Sequence, residues 1–500
     1  MQNSYNQQLN SWINEEKVAN EISFLVNQLS LEKSVEVIML RKQLMNRAST
    51  DIINRHQEAA KVMGEVFNMD DSLVLTKEMM NADLSPARID LGRLLSEWNA
   101  EKGDFSSVKS FIGSKLAGCI EADNNKMTPK DVVLYGFGRI GRLMARELIY
   151  QAGNGTQLRL RAIVTRGNSE NEISKRAELL RTDSIHGKFQ GTIVEDYANR
   201  CLIVNGHRIE MIDARNPMEI DYTQYGIENA LLVDNTGVWR DAEGLGQHLK
   251  AKGIDKVLLT APGKGDIPNV VYGVNHETIN LNDKIFSAAS CTTNAIVPVL
   301  KVVNDVFGLE VGHVETIHSY TNDQNLIDNY HKSNRRGRAA TLNMVITETG
   351  AGSAVAKALP ELKGKITGNS IRVPTPDGSL AVLSLTLNTD VTKESLNEAL
   401  RKASLKGGLV EQIEFSLNNE LVSSDIIGNV HASIVDGPAT IVQPNGKGAI
   451  VYVWYDNEYG YTRQVMRLAK YWRCDPLYLL LIDPRIHKKA PKIFGAFFME

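Results

Sequence analysis

The chain has 500 residues, 43% of them apolar and 23% charged, with a formal net charge of -3. This is an ordinary globular composition, and the near-neutral balance gives no bulk electrostatic reason to expect nucleic acid or an anionic membrane as partner. No stretch approaches the roughly 20 apolar residues that span a bilayer, the start is polar with no apolar signal core, and the 4 cysteines, none at CxxC spacing, make neither a disulfide framework nor a metal site. The expected compartment is therefore the cytoplasm.

Residues 1–127 carry little strand signal. Ile22, Leu25, Val26 and Leu29 recur at helical spacing, and Val35, Ile38, Leu40 and Leu44 roughly continue it. Ser85-Pro86 ahead of Ile89, Leu91, Leu94 and Leu95 reads as a capped helix start with Pro at the first helical position. With no ligand cluster and no nucleophile motif, this region is expected to be a helical extension. A turn-rich link, Asn124-Asn125-Lys126-Met127-Thr128-Pro129, leads into a core where strand-like and helix-like segments alternate. From about residue 284 the strand runs lengthen, as at 381–388 and 449–455, which fits a second, mixed domain. The tail at 473–500 holds a short apolar run and then a basic stretch, and is expected to be peripheral.

The core opens with Val132-Val133-Leu134-Tyr135, a buried strand, running into Gly136-Phe137-Gly138-Arg139-Ile140-Gly141-Arg142. Ile140, Leu143, Met144 and Leu148 then form an apolar helical stripe. Strand, glycine turn and helix are the context that GxGxxG needs. Gly136 permits the tight turn, Gly138 lets the backbone approach a pyrophosphate, and Gly141 lets helix and strand pack closely. The helix N-terminus offers free N–H groups to the phosphates. A second strand, 158–164, follows and ends in Thr165-Arg166-Gly167-Asn168, without the carboxylate that bonds the ribose 2′-OH in NAD-preferring sites. Arg166 suits a 2′-phosphate, so NADP is expected to be used, alongside NAD or in preference to it.

Ser287-Ala288-Ala289-Ser290-Cys291-Thr292-Thr293-Asn294 carries the nucleophile signal. Small residues precede the cysteine, hydroxyls flank it, and a helix over 295–303 puts a dipole end nearby, which lowers a thiol pKa. Cys119, Cys201 and Cys474 have no such setting and read as structural. A nucleophilic thiol needs a base. His318 stands in Val314-Glu315-Thr316-Ile317-His318-Ser319-Tyr320-Thr321-Asn322-Asp323-Gln324, where an alternating strand delivers it to a loop mouth.

These motifs together resemble the glyceraldehyde-3-phosphate dehydrogenase family over about residues 130–472. The resemblance also rests on Asp183-Ser184-Ile185-His186-Gly187, on Arg372-Val373-Pro374-Thr375-Pro376, and on Trp454-Tyr455-Asp456-Asn457-Glu458-Tyr459-Gly460-Tyr461. It implies an α/β fold: a Rossmann-type dinucleotide-binding domain at 128–290, completed by 456–472, plus a mixed α+β catalytic domain at 291–455, preceded by the helical extension. It implies a homotetramer with glyceraldehyde 3-phosphate and inorganic phosphate as substrates, NAD or NADP as cofactor, and no metal. By the resemblance, Cys291 forms a thiohemiacetal and then a thioester, assisted by His318. Thr321, Asp323 and Arg372 hold the substrate phosphate, and Ser290, Thr292, Thr349 and Gly350 the attacking phosphate. Asn457 holds the nicotinamide carboxamide with Tyr461 near it, and the cofactor set is completed by Gly136, Gly138, Arg139, Ile140, Gly141, Arg166 and Thr260.

The sequence also departs from the family pattern. The acid after the second strand is missing, Ala295 stands where a second cysteine is common, and Asp328-Asn329-Tyr330-His331 lacks the Leu-Pro step of NAD-specific members. The extension and the tail lie outside the common pattern. The nearest rival is erythrose-4-phosphate dehydrogenase, which releases a free acid. A binding protein that kept the fold but lost the chemistry is disfavoured by the presence of Cys291, His318 and Arg372.

Overall fold

The computed structural model describes residues 2–40, 42–120, 129–347 and 350–473. The interdomain link before Pro129, Thr349, Cys474 and the tail expected to be peripheral lie outside the described residues. The chain divides into two compact units.

The first unit gathers the described residues up to Pro129 together with Gln151–Gln157. Its long helix Gln2–Lys33 buries Ala19, Ile22, Val26 and Leu29, the positions three and four apart that share one face. Ser34, at φ 53, ends it. The helical spacing expected to continue through Val35, Ile38, Leu40 and Leu44 does not: Glu36–Met39 is a strand, parallel to Arg88–Asp90 and antiparallel to Lys42–Gln43. All four of its residues are buried, so no alternation marks it as a strand. The helix start expected at Pro86 is displaced for the same reason. Arg88–Asp90 completes the sheet, and the helix Leu91–Glu101 begins only after Asp90, whose Oδ1 accepts from Gly92 N at 3.0 Å and Arg93 N at 3.2 Å. Three further helices, Ser49–Met63, Met69–Asn81 and Val108–Lys115, complete a shared apolar core. Its buried His56 is fully committed to structure, with Nδ1 on Ile52 O at 2.8 Å and Nε2 on Ser72 Oγ at 2.9 Å.

The second unit, Lys130–Tyr150 with Leu158–Arg473, holds two larger sheets. Six strands of the first are parallel, in the order Ile285–Ser287, Ile254–Leu259, Ala230–Asp234, Lys130–Tyr135, Leu158–Thr165 and His207–Asp213. Two antiparallel strands, Cys201–Val204 and Ile193–Asp196, extend its edge. The near-continuous Val, Leu and Ile runs of the central strands follow from burial on both faces. The glycine-turn helix Arg139–Tyr150 packs against the last helix, Tyr459–Arg473, and Tyr459 Oη donates to Glu147 Oε1 at 2.7 Å. The second sheet is mixed, and its long strands Leu309–Ser319, Ile366–Val373, Ser379–Leu387 and Gly448–Tyr455 lie side by side. Helix Cys291–Phe307 packs on this sheet, sharing one apolar core with it.

Candidate active site

Gly136 follows the first strand at φ 93, a left-handed conformation that an L side chain resists. A Cβ on Gly141 would lie 2.5 Å from Gly136 O, so close packing of helix on turn requires glycine there. Gly138 differs: a Cβ would meet nothing within 4 Å. Protein packing therefore does not account for glycine at this position, whereas close approach of a pyrophosphate would. The turn fits a dinucleotide on this evidence. Ile140 is the second residue of the helix beside it. The Arg139 side chain is turned to protein, with Nε donating to Glu458 Oε1 at 2.9 Å and a further ion pair to Asp183. Thr260, just after the strand Ile254–Leu259, donates its hydroxyl to Asp234 O at 3.1 Å. Arg166 is exposed, and Asp213 Oδ1 on the neighbouring strand accepts the adjacent Gly167 N–H at 2.6 Å.

Cys291 is the first residue of its helix, four positions earlier than expected, and Ser290 is the N-cap, accepting from Thr293 N at 3.0 Å. Ala289 sits at φ 57, a strained value that only a small side chain tolerates cheaply. The strand Leu309–Ser319 brings His318 to the thiol, with Sγ 3.4 Å from Nε2. His318 Nδ1 lies 2.7 Å from Ser319 O, a pure acceptor, and 3.1 Å from Arg372 Nη1, a pure donor; the shorter contact to the carbonyl outweighs the longer one, and Nδ1 carries a proton. In the neutral ring Nε2 is then the acceptor that faces the thiol. Burial, followed by the Arg372 charge, pushes the His318 pKa down to about 3. Burial pushes the Cys291 thiol up, opposed by Arg372 and by the helix-start N–H groups. The resting pair is thus a thiol beside a neutral imidazole.

Arg372 pairs with His318 in register on the adjacent strand. Its Nη1 donates to Ser319 O at 3.1 Å and Thr321 Oγ1 at 3.2 Å, and its buried Nε has no partner among the described residues. Thr321 gives its own proton to Asp323, which is also paired with Arg336. Burial pushes the Asp323 carboxyl up, but Thr321 and the Arg336 and Arg372 charges outweigh it and hold it below its ordinary value. Asp323 therefore orients Thr321 and Arg336 rather than meeting an anion itself. Thr292 turns inward to Tyr455, hydroxyl to hydroxyl at 3.1 Å. Gly350 N-caps the helix Ala351–Ala358, and its carbonyl takes the Ser353 hydroxyl of that helix at 3.0 Å. Asn457 is buried beside Ser379, and Tyr461 donates to Ala289 O at 2.9 Å, bracing the strained residue two positions before Cys291.

Comparison with known proteins agrees with this geometry. The model of the glyceraldehyde 3-phosphate dehydrogenase NAD binding domain matches residues 130–242, and that of the C-terminal domain matches 290–457. A Pseudomonas aeruginosa protein named glyceraldehyde-3-phosphate dehydrogenase-like protein is 53% identical over 449 residues, 89% of this chain and 97% of its own. The chain belongs to the glyceraldehyde-3-phosphate dehydrogenase family. The glyceraldehyde-3-phosphate dehydrogenases of Zymomonas mobilis and Priestia megaterium are 39% and 41% identical, over 68% and 67% of this chain and 97% and 96% of theirs. The broader Pseudomonas match necessarily takes in most of Met1–Pro129, so the first unit is shared with that relative of the family.

In this member of the glyceraldehyde-3-phosphate dehydrogenase family, the structure brings Cys291, His318, Arg372, Thr321 and Asp323 into one chain of contacts. Sequence reasoning missed Arg336 and Tyr455. Arg336 lies in Arg335-Arg336-Gly337-Arg338, a basic run that was available as a signal in an anion-handling protein. Tyr455 bridges Thr292 and Thr316, the latter at 2.6 Å, and its signal was its place in the Trp454–Tyr461 motif at the end of a strand, which gave it no role of its own. Among the described residues no helix is long and apolar enough to cross a membrane.

Proposed function

We propose that this protein oxidises glyceraldehyde 3-phosphate reversibly to 1,3-bisphosphoglycerate, using inorganic phosphate and NAD or NADP. The observation that carries the reading is the Cys291 thiol on a helix start, 3.4 Å from the acceptor nitrogen of His318 and beside Arg372. Residues 128–290 with 456–472 hold the dinucleotide, and 291–455 carry the chemistry.

His318 Nε2 takes the thiol proton as Sγ bonds to the aldehyde carbon, and returns a proton to the new alkoxide, giving a thiohemiacetal. The backbone of Gly136, Gly138, Arg139, Ile140 and Gly141 would hold the pyrophosphate, with Thr260 and Tyr461 beside the cofactor, Asn457 at the carboxamide and Arg166 at a 2′-phosphate. Bound there, the dinucleotide supplies the acceptor for the hydride that leaves the substrate carbon, which turns the thiohemiacetal into a thioester. His318 takes the hydroxyl proton in that step. Arg372 and Thr321, braced by Asp323, hold the substrate phosphate through charge-assisted bonds. Ser290, Thr292, Thr349 and Gly350 hold inorganic phosphate, whose oxygen attacks the thioester. The C–S bond breaks, the acyl phosphate leaves, and His318 returns the proton to the thiolate.

Leu326, Ile327, Tyr330, Leu342 and Met344 are strongly exposed apolar side chains within one loop, which supports a contact with another chain, as the homotetramer implied by the resemblance would need. The test of the covalent step is acid quenching after mixing with glyceraldehyde 3-phosphate and each dinucleotide without phosphate, followed by peptide mass spectrometry. The acyl group is expected on the peptide that carries Cys291. Acylation elsewhere, or none with either dinucleotide, contradicts the proposal.

A further inference from the structure

Ser379 opens the strand Ser379–Leu387 and is wholly buried. Its placement is set by Gly378, at φ 82, where a Cβ would come within 2.4 Å of Ser423 O. Register pairs Ser379 with Tyr455, two residues before Asn457. The Ser379 hydroxyl has two partners, the N–H of Ser319 at 3.1 Å and the Asn457 side chain at 2.6 Å.

The chemistry of these partners fixes the direction of each bond. Ser319 N–H donates only, so Ser379 Oγ accepts it. The single hydroxyl proton must then go to Asn457, and the amide must offer Oδ1 to receive it. With the amide turned over, that proton has no acceptor among the described residues, which is costly for a buried donor. The Asn457 amide therefore has one orientation, in which Nδ2 points away from Ser379 and has no partner among the described residues. The flanking residues fix the backbone: Asp456 Oδ1 accepts from Glu458 N at 2.9 Å and Tyr459 N at 2.6 Å, and Oδ2 from Gly428 N at 2.7 Å. On the other side, the carbonyl of Ser319 takes the His318 Nδ1 proton at 2.7 Å. The Ser319 backbone thus joins the two sites: its carbonyl takes the imidazole proton, and its N–H, on the preceding peptide, donates to the Ser379 hydroxyl that orients the Asn457 amide.

We infer that Ser379 is a positioning residue: it makes Asn457 present its N–H donors to the carboxamide of the nicotinamide, and ties that donor to the backbone that carries His318. This rests on the reading of Asn457 as the carboxamide partner. Loss of the hydroxyl frees the amide to turn and leaves Ser319 N–H unsatisfied, while the glycine turn that takes the pyrophosphate is untouched.

The test compares binding of the reduced dinucleotide with binding of ADP-ribose, which has the same adenosine and pyrophosphate but no nicotinamide, measured by calorimetry on the full chain. Where NADPH is the tighter ligand, the 2′-phosphorylated ADP-ribose replaces ADP-ribose. Ser379→Ala is expected to weaken the reduced dinucleotide about tenfold and the nicotinamide-free ligand less than about twofold. Ser379→Thr, which keeps the hydroxyl, is expected to restore the wild-type ratio. Should the alanine variant fail to fold, Ser379→Cys keeps the volume, loses the strong donor and is expected to give the same selective loss. Equal weakening of both ligands, or none, in a folded Ser379→Ala or Ser379→Cys protein overturns the inference. Asn457→Ala separates the two claims. If it leaves the ratio unchanged, the reading of Asn457 falls; if it changes the ratio and Ser379→Ala does not, only the role of Ser379 falls.

Discussion

The helix Arg139–Tyr150 is entered through Gly136-Phe137-Gly138, the helix Cys291–Phe307 through Ala288-Ala289-Ser290. Both starts carry free N–H groups and a positive dipole end. At the first, glycine strips away side chains, and the space around Gly138 is open for an incoming anion. At the second, the Ser290 hydroxyl caps Thr293 N–H, and the strained Ala289 fixes where the thiol stands. A start left bare suits a phosphate that arrives, and a capped start suits an anion generated on one fixed atom.

Removing that atom has the largest expected effect. Cys291→Ser is expected to lower phosphate-dependent turnover by about 10³-fold or more while leaving the melting temperature near wild type. Steady-state cofactor reduction and a thermal melt check it. His318→Ala comes next, with an expected loss of about 10²–10⁴ in turnover. Its pH signature has a definite sign. The His318 pKa is lowered to about 3, so acidifying through 6.5, its ordinary value, does not protonate the imidazole. The Cys291 thiol is raised above its ordinary 9.0, so alkylation of the free enzyme by iodoacetamide is expected to rise with pH and still to be rising at 9.0. A step near 6.5 in that rate, absent from His318→Ala, would show instead that the resting imidazole titrates normally.

The bare start is sharpened by two glycine variants. Gly141→Ala forces a methyl to within 2.5 Å of Gly136 O, and is expected to destabilise the fold by about 1–3 kcal/mol in denaturant melts. Gly138→Ala meets no protein atom within 4 Å, so its melt is expected to match wild type while dinucleotide binding weakens. If both variants lost stability equally, Gly138 would be a packing glycine. The smallest effect is at Arg166, where alanine is expected to lower the affinity ratio of NADP to NAD by about tenfold, read by titration with each cofactor. An unchanged ratio would remove Arg166 from the cofactor site.

The glycine turn and the pairing of Cys291 with His318 were legible because each joins a residue type to a local context: strand before the glycines, small residues before the thiol, an alternating strand before the imidazole. The first unit was legible only in part. Its long helix announces itself in Ile22, Val26 and Leu29, but Glu36–Met39 is covered on both faces and carries no period of its own. Asp323 has the right position for a phosphate site, but the sequence does not say that its charge is spent on Thr321 and Arg336. Ser379 is least legible of all. A serine at the head of an apolar strand has no signature, and its partners Ser319 and Asn457 are brought to it only by the second sheet.

The most direct measurement is the initial rate of dinucleotide reduction with glyceraldehyde 3-phosphate, with and without inorganic phosphate, for NAD and NADP separately. Sustained turnover only with phosphate is expected, with an acyl phosphate that hydroxylamine traps, and at most a single burst per site without it. Sustained reduction without phosphate, releasing a free acid, would contradict the phosphorylating reaction, and no turnover with either dinucleotide would contradict the activity itself.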